Sequence, residues 1–174
     1  MIGVWNKQAS LDKVISYGED YKMQIRKIHP GEIDDLLNII HQYAAEAAES
    51  MPEIADEIDD SVIVENIRTW SIQNAYNLLV AFEGQRPVGF IAGVITEMPW
   101  GKAKQANIIF IFMTETHRNM DNFKALLDSF ETWARQCKAK RICAGDIGVN
   151  VDRSRKLYNY LQFNEGLYVT KDIV

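Results

Sequence analysis

The residues of this chain best placed to do chemistry are Arg118-Asn119-Met120-Asp121-Asn122-Phe123, together with the apolar run before them, Ile108-Ile109-Phe110-Ile111-Phe112-Met113. The apolar run fits a strand buried on both faces, although so short a run also suits a core helix, and the strand is the better fit. After the polar interruption Thr114-Glu115-Thr116-His117, the residues Met120, Phe123, Leu126, Leu127, Phe130, Trp133, Ala134 and Cys137 recur at helical spacing. A strand that enters a helix through so short an elbow aims the helix's unpaired N–H groups, and the positive end of its dipole, into the space beyond the strand. That space suits an anion such as a phosphate.

The elbow's own residues pull in two directions. Arg118 and Lys124 favour an anion. A carboxylate at Asp121, about 5 Å from a phosphate oxygen, would cost about 3 kcal/mol at an effective dielectric of about 20, whereas a helix N-terminus returns roughly 0.3–1 kcal/mol. Alternatively, Asp121 or Asn122 caps the helix and takes the N–H groups a phosphate would otherwise use.

Other chemistries find little support. Cys137 and Cys143 are too few and too oddly spaced for a zinc cluster, a disulfide framework or a Cys-x-x-Cys redox pair, and they read as core thiols. His29, His41 and His117 are scattered without metal-ligand spacing, so no metal is expected. No Gly-x-Ser-x-Gly or Walker-type pattern occurs. Gly145-Asp146-Ile147-Gly148 has the spacing of some RNA-binding loops but no basic surround, and the net charge of −5 argues against nucleic acid as the main partner. The strongest charge asymmetry runs from Glu46 to Glu65, where Glu46, Glu49, Glu53, Asp56, Glu57, Asp59, Asp60 and Glu65 occur without a Lys, Arg or His. It is either a solvated loop with acidic helix flanks, Asp60 or Ser61 capping the following helix, or an acidic lip that attracts a cationic substrate.

The elements that must position the elbow follow from periodicity. At 174 residues and 47% apolar composition, one well-cored domain suffices. No apolar run reaches the roughly 18 residues of a membrane helix, and the N-terminus lacks the basic flank of a signal peptide. A soluble, cytoplasmic protein with no membrane partner is expected. Residues 1–20 show no sustained period apart from a short helix over Leu11 to Ile15, and are read as an extension to a domain over 21–174. Tyr21, Met23 and Ile25 alternate with polar neighbours as in a half-buried strand. Ile33, Leu36, Leu37, Ile40, Tyr43, Ala44 and Ala47 form a helical stripe ending near Pro52, and Val62, Ile63, Ile67 and Trp70 form a second. Leu78 to Phe82 and Val88 to Thr96 read as a hairpin around Glu83-Gly84-Gln85-Arg86-Pro87, leading by a meander into the apolar run. After the long helix come a strand at Arg141 to Ala144, a helix carrying Leu157, Tyr160 and Leu161 with Asp152 as its cap, and a closing edge strand over Leu167 to Val174. The order predicts an α+β (mixed α/β) fold with helices on the faces of one sheet.

That order, the strand–elbow–helix with Met113 five residues before Arg118, and the segment Leu157-Tyr158-Asn159-Tyr160-Leu161-Gln162-Phe163 resemble the GCN5-related N-acetyltransferase (GNAT) family over roughly residues 21–174. The last segment is similar to that family's Leu-Tyr-x-x-x-Gly-Phe, with Gln162 where Gly is usual. The elbow departs from the family's Arg/Gln-x-x-Gly-x-Gly/Ala, since Asp121 and Phe123 stand at its small positions.

The resemblance implies a mostly antiparallel sheet splayed between the fourth and fifth strands counted from Tyr21. It implies acetyl-CoA as cofactor, held by the backbone of Ile111, Phe112 and Met113, by the elbow Arg118, Asn119, Met120, Asp121, Asn122 and Phe123, and by Asn150. It implies Tyr158 as the acid that protonates the departing thiolate, although a tyrosine packing on the sheet reads the same. The base has no clear owner: Glu97, Glu115, Asp146, a water chain or a pre-deprotonated acceptor would each serve. The expected activity is transfer of an acetyl group to the amine of a cationic acceptor. The alternative is a silent GNAT-fold binding protein, and a homodimer stays open for either.

Overall fold

The computed structural model describes residues 13–17, 21–49, 51–145 and 151–164. Its strands are β1 (Lys13–Tyr17), β2 (Tyr21–Lys27), β3 (Tyr76–Glu83), β4 (Arg86–Glu97), β5 (Lys104–Met113) and β6 (Ala139–Ala144), and they lie in one sheet in sequence order. Every neighbouring pair is antiparallel except β5 with β6, which is parallel. The helices are α1 (Ile33–Ala48), α2 (Glu53–Glu57), α3 (Asp60–Ile72), α4 (Met120–Gln136) and α5 (Val151–Tyr160). None of them is long and apolar enough to cross a membrane.

β3 shows why the sheet has helices on both sides. Its residues from Asn77 to Phe82 are all buried, as a strand covered on both faces requires. Because side chains alternate, Leu78, Val80 and Phe82 pack with Leu36, Ile39 and Ile67 of α1 and α3. Leu79 and Ala81 pack on the opposite side with Leu126, Phe130 and Trp133 of α4. Leu126 and Phe130 are fully buried, and each such side chain contributes about 1.5–3 kcal/mol relative to exposure. The helical stripe expected over the long helix therefore faces the core, although Met120 in its first turn stays 40% exposed.

One irregularity shapes the functional end of the sheet. In the β4–β5 register Ala92 pairs with Phe110 and Gly93 with Ile108, so Ile109 is the extra residue of a β-bulge. The bulge swaps the faces of β5: Ile108 packs on the α4 side, while Phe110, two residues on, packs with the α1–α3 side. Ile109 is left 39% exposed, so the apolar run is not buried throughout. Gly93 permits the close approach, since a Cβ there would lie 2.4 Å from the Asn107 carbonyl oxygen and 2.5 Å from the Phe130 ring.

Several local expectations change. Lys13–Tyr17 is a strand paired with β2, not part of a helix over Leu11 to Ile15; Val14 and Ile15 are β-branched and β2 offers them an edge. Pro52 ends one helix and stands at the start of another, α2. The cap of α3 is Asp59, whose side chain accepts from the N–H groups of Ser61 and Val62, rather than Asp60 or Ser61. Asp152 lies inside the first turn of α5 and is not its cap. The strand expected over Leu167 to Val174 lies outside the described residues.

Candidate active site

The site begins where β5 and β6 part. Their parallel pairing runs from Lys104 and Ala139 to Ile108 and Ala144 and stops there. β5 continues to Met113 with β4 alone as partner among the described strands. The pairing ends next to the Ile109 bulge, where β6 itself ends at Ala144. The expected splay between the fourth and fifth strands from Tyr21 falls where this pairing ends, and the chain from 146 to 150 lies outside the described residues.

Backbone alternation decides which groups of β5 turn away from β4. The Thr114 N–H donates to the Val88 carbonyl at 2.9 Å. Val88 and Thr114 are thus a hydrogen-bonded pair, and Met113 turns its carbonyl away from β4, as Ile111 does two residues earlier. The Met113 carbonyl is already engaged: Arg118 donates to it from Nε at 3.1 Å and from Nη2 at 2.9 Å. The guanidinium stands 5.3 Å from the Phe112 ring centroid, and its Nη2 lies 2.7 Å from Glu46 Oε1 of α1. Arg118 is thereby folded back over the strand end.

At the elbow the α4 cap is Asn119, not Asp121 or Asn122. Its side-chain oxygen accepts from the Asn122 N–H at 2.9 Å, and its carbonyl accepts from the Phe123 N–H. Asn122 spends its own side-chain amide on the His117 carbonyl at 2.7 Å. Asn119 can cap because its backbone is extended, with φ −139° and ψ 164°, whereas Asp121 and Asn122 already lie within the helix. Lys124 is drawn along the helix to Asp128 at 2.9 Å, which raises its pKa. Beside the elbow a cavity of about 600 Å³ is lined by Glu83, Arg86, His117, Asn119, Asp121 and Asn122, among others. His117 Nε2 lies 3.3 Å from Glu83 Oε1, tying the elbow to the β3–β4 hairpin.

Tyr158 lies beside the end of β6. Its hydroxyl donates to the Gly145 carbonyl at 3.2 Å, one residue beyond the last β5–β6 pair, and its ring packs on Phe163 with centroids 5.3 Å apart. Gln162, which holds the place of a usual glycine, has φ 61° and so adopts the left-handed conformation that glycine tolerates best. Of the candidate bases, Glu97 pairs with Lys104, five residues and about 17 Å along β5 from Ile109. Glu115 is exposed in the turn after β5. Asp146 and Asn150 lie outside the described residues. Among the described residues no group of three or more His, Cys, Asp or Glu could hold a metal ion.

Two features of the site had escaped sequence reasoning. Glu46 appears there only as the first member of the acidic segment, and its pairing with Arg118 spans 72 residues. A polar chain also crosses the sheet near the splay: Gln105 Nε2 donates to Asn107 Oδ1 and Asn107 Nδ2 to Thr96 Oγ1, both at 2.9 Å. The alternation of Gln105 and Asn107 about buried Ala106 was the available signal.

Among the described strands the sheet is antiparallel up to its last pair, β5 with β6, and a helix begins a few residues past the end of β5. The acetyltransferase (GNAT) family matches residues 38–163, and the chain belongs to that family, whose cofactor is acetyl-CoA. A comparison with curated protein sequences finds no match. Among solved structures, the ribosomal-protein-alanine N-acetyltransferase of Brucella melitensis biovar Abortus 2308 is 17% identical, with a TM-score of 0.66 over 87% of this chain and 98% of that one. The aminoglycoside N-acetyltransferase AAC(6')-Iy in complex with CoA is 14% identical, with a TM-score of 0.69 over 91% and 99%. The aminoglycoside 6'-N-acetyltransferase AAC(6')-Ih of Acinetobacter baumannii is 19% identical, with a TM-score of 0.64 over 87% and 99%. At these identities the likeness is one of fold.

The residues present fit that cofactor unevenly. The end of β5, from Ile109 to Met113, which has β4 alone as partner among the described strands, suits an extended, amide-bearing arm. The elbow offers phosphates a helix N-terminus on which the Asn122 N–H is capped and Asp121 is exposed.

Proposed function

We propose that this protein transfers the acetyl group of acetyl-CoA to the amine of a cationic acceptor. The observation that carries the reading is the end of the β5–β6 pairing at Ile108 and Ala144, beside the bulge, beyond which the Ile111 N–H and C=O, turned away from β4 by alternation, meet no partner among the described strands. Acetyl-CoA supplies the activated thioester. Ile111 and Met113 present backbone groups to its arm, Phe112 supports them from the core, and the elbow Arg118, Asn119, Met120, Asp121, Asn122 and Phe123 meets its phosphates, with Asn150 a further contact on the arm. Tyr158 carries the proton for the departing sulfur from the end of β6.

The acidic segment favours a positively charged acceptor. Asp59 is spent on a helix cap and Asp60 lies 2.9 Å from His41, but Glu49, Glu53, Asp56, Glu57 and Glu65 are exposed and raise the local concentration of cations. One solved neighbour carries a bisubstrate analogue of CoA and acetylneamine, an acceptor class consistent with this charge. The test is release of CoA measured with a polyamine, a lysine-bearing peptide and an aminoglycoside, alongside the thermal shift caused by acetyl-CoA. Turnover with at least one amine is expected. No turnover with any, together with no thermal shift, overturns the reading.

A second reading, a GNAT-fold binding protein that has lost its cofactor, is favoured by one specific observation: the Asn119 cap and the exposed Asp121 occupy the anion end of the elbow. Micromolar binding of acetyl-CoA in a calorimeter would eliminate it.

A further inference from the structure

Glu46 reaches from the last turns of α1 to the guanidinium of Arg118, with Oε1 and Nη2 2.7 Å apart. The side chain of Arg118 is 12% exposed and that of Glu46 43%, so the carboxylate leans in from solvent toward a cation already sunk against β5. Nη2 divides its donors between Glu46 and the Met113 carbonyl, and Nε adds a second bond to that carbonyl. The charge of Arg118 is thus turned onto the strand end and α1. An anion at the start of α4 competes with Glu46 for the same guanidinium, because an arginine fork serves a carboxylate and a phosphate in the same way.

We propose that Glu46 is a positioning residue that holds Arg118 against β5 in the unliganded protein and thereby sets how tightly the elbow takes the phosphates of acetyl-CoA. The proposal rests on the acetyl-CoA reading of the elbow. Anion binding draws Arg118 away from Glu46. The freed carboxylate then joins the acidic segment that begins at Glu46, where it pairs with the ammonium of the acceptor. By linkage, a cation that engages Glu46 strengthens the hold of the elbow on its anion by the same factor. Cofactor and acceptor therefore support each other through one side-chain pair that bridges α1 and the elbow.

The experiment is a calorimetric titration of CoA into the wild-type protein, Glu46→Gln, Arg118→Gln and the double variant. Glu46→Gln keeps an acceptor oxygen but loses the charge, and is expected to bind CoA about fivefold or more tightly than wild type. In the Arg118→Gln background the same change is expected to leave affinity unaltered. Measurable binding by Glu46→Gln where the wild type shows none carries the same conclusion. Equal affinities of wild type and Glu46→Gln overturn the proposal and leave the acetyltransferase reading standing. A gain that persists without Arg118 also overturns it, since Glu46 would then act by its charge alone. No binding by any of the four proteins removes both.

Discussion

The hydroxyl of Tyr158 donates to the carbonyl of Gly145 at 3.2 Å, which places the phenol just past Ile108 and Ala144, the last partners across β5 and β6. The bond joins the body of α5 to the end of β6 in a setting open to solvent, and such a bond contributes about 0.5–1.5 kcal/mol. In the reaction proposed above the phenol has a second role, carrying the proton for the departing sulfur. Tyr158→Phe is therefore expected to lower kcat by about a hundredfold or more, with the KM for acetyl-CoA and the midpoint of urea unfolding nearly unchanged. A kcat equal to wild type would reduce Tyr158 to a packing residue against Phe163.

Gln162 closes α5 in a left-handed conformation, with φ 61°, its N–H bonded to the Asn159 carbonyl and the next N–H, of Phe163, to the Tyr158 carbonyl. A side chain at that backbone angle is strained where glycine is not. Gln162→Gly is expected to stabilise the protein by about 0.5–1 kcal/mol, after the entropy glycine adds to the unfolded chain is subtracted. Urea unfolding checks this, and an unchanged or lower midpoint would show that contacts of the Gln162 side chain outweigh the strain.

How much of this was legible in the chain depends on whether the signal was local. The alternation at Met23 and Ile25 and the stripes over α1 and α4 needed only near neighbours, and those elements stand where periodicity put them. The place of Gln162 where a glycine is usual was read from the segment, but its left-handed φ of 61° comes from the structure. The bulge at Ile109 was not, because an unbroken apolar run reads the same whichever face each residue takes. β1 was hidden for a different reason: Lys13–Tyr17 is a strand by virtue of its pairing with β2, and its own five residues carry too little pattern. The Arg118–Glu46 pair depends on α1 crossing to the end of β5, a tertiary fact with no signature in composition.

Glu32 carries the clearest pH signal outside the site. Hydrogen bonds from Arg26 at 2.6 and 2.8 Å, with a further one from the His29 N–H at 2.8 Å, hold its carboxyl at about 2 instead of the usual 4.5. A carboxylate whose pKa is depressed by folding contributes stability that is fully present above 4.5 and lost as the pH falls from 4.5 toward 2. The pair is partly screened by solvent, so the contribution is about 1–2 kcal/mol. Urea midpoints of wild type are expected to drop across that acid window, and those of Glu32→Gln to be lower at neutral pH and flatter through it. Parallel curves for the two proteins would show that the loss comes from other carboxylates.

Asp121 is the elbow residue whose two roles have opposite signs. It lies exposed in the first turn of α4, where a negative charge favours the helix by about 0.3–1 kcal/mol. In the proposed complex, with the phosphates of acetyl-CoA at the elbow, the same charge is repulsive, and more so at low salt, where screening is weaker. Asp121→Asn is therefore expected to bind CoA about fivefold more tightly at low ionic strength, with the gain shrinking as salt is added, while its thermal midpoint falls by a few degrees. Tighter binding with lower stability would identify Asp121 as the residue that holds the elbow's affinity down. Lower stability with no change in binding would confine it to the helix and leave Asn119 and Arg118 to set the affinity.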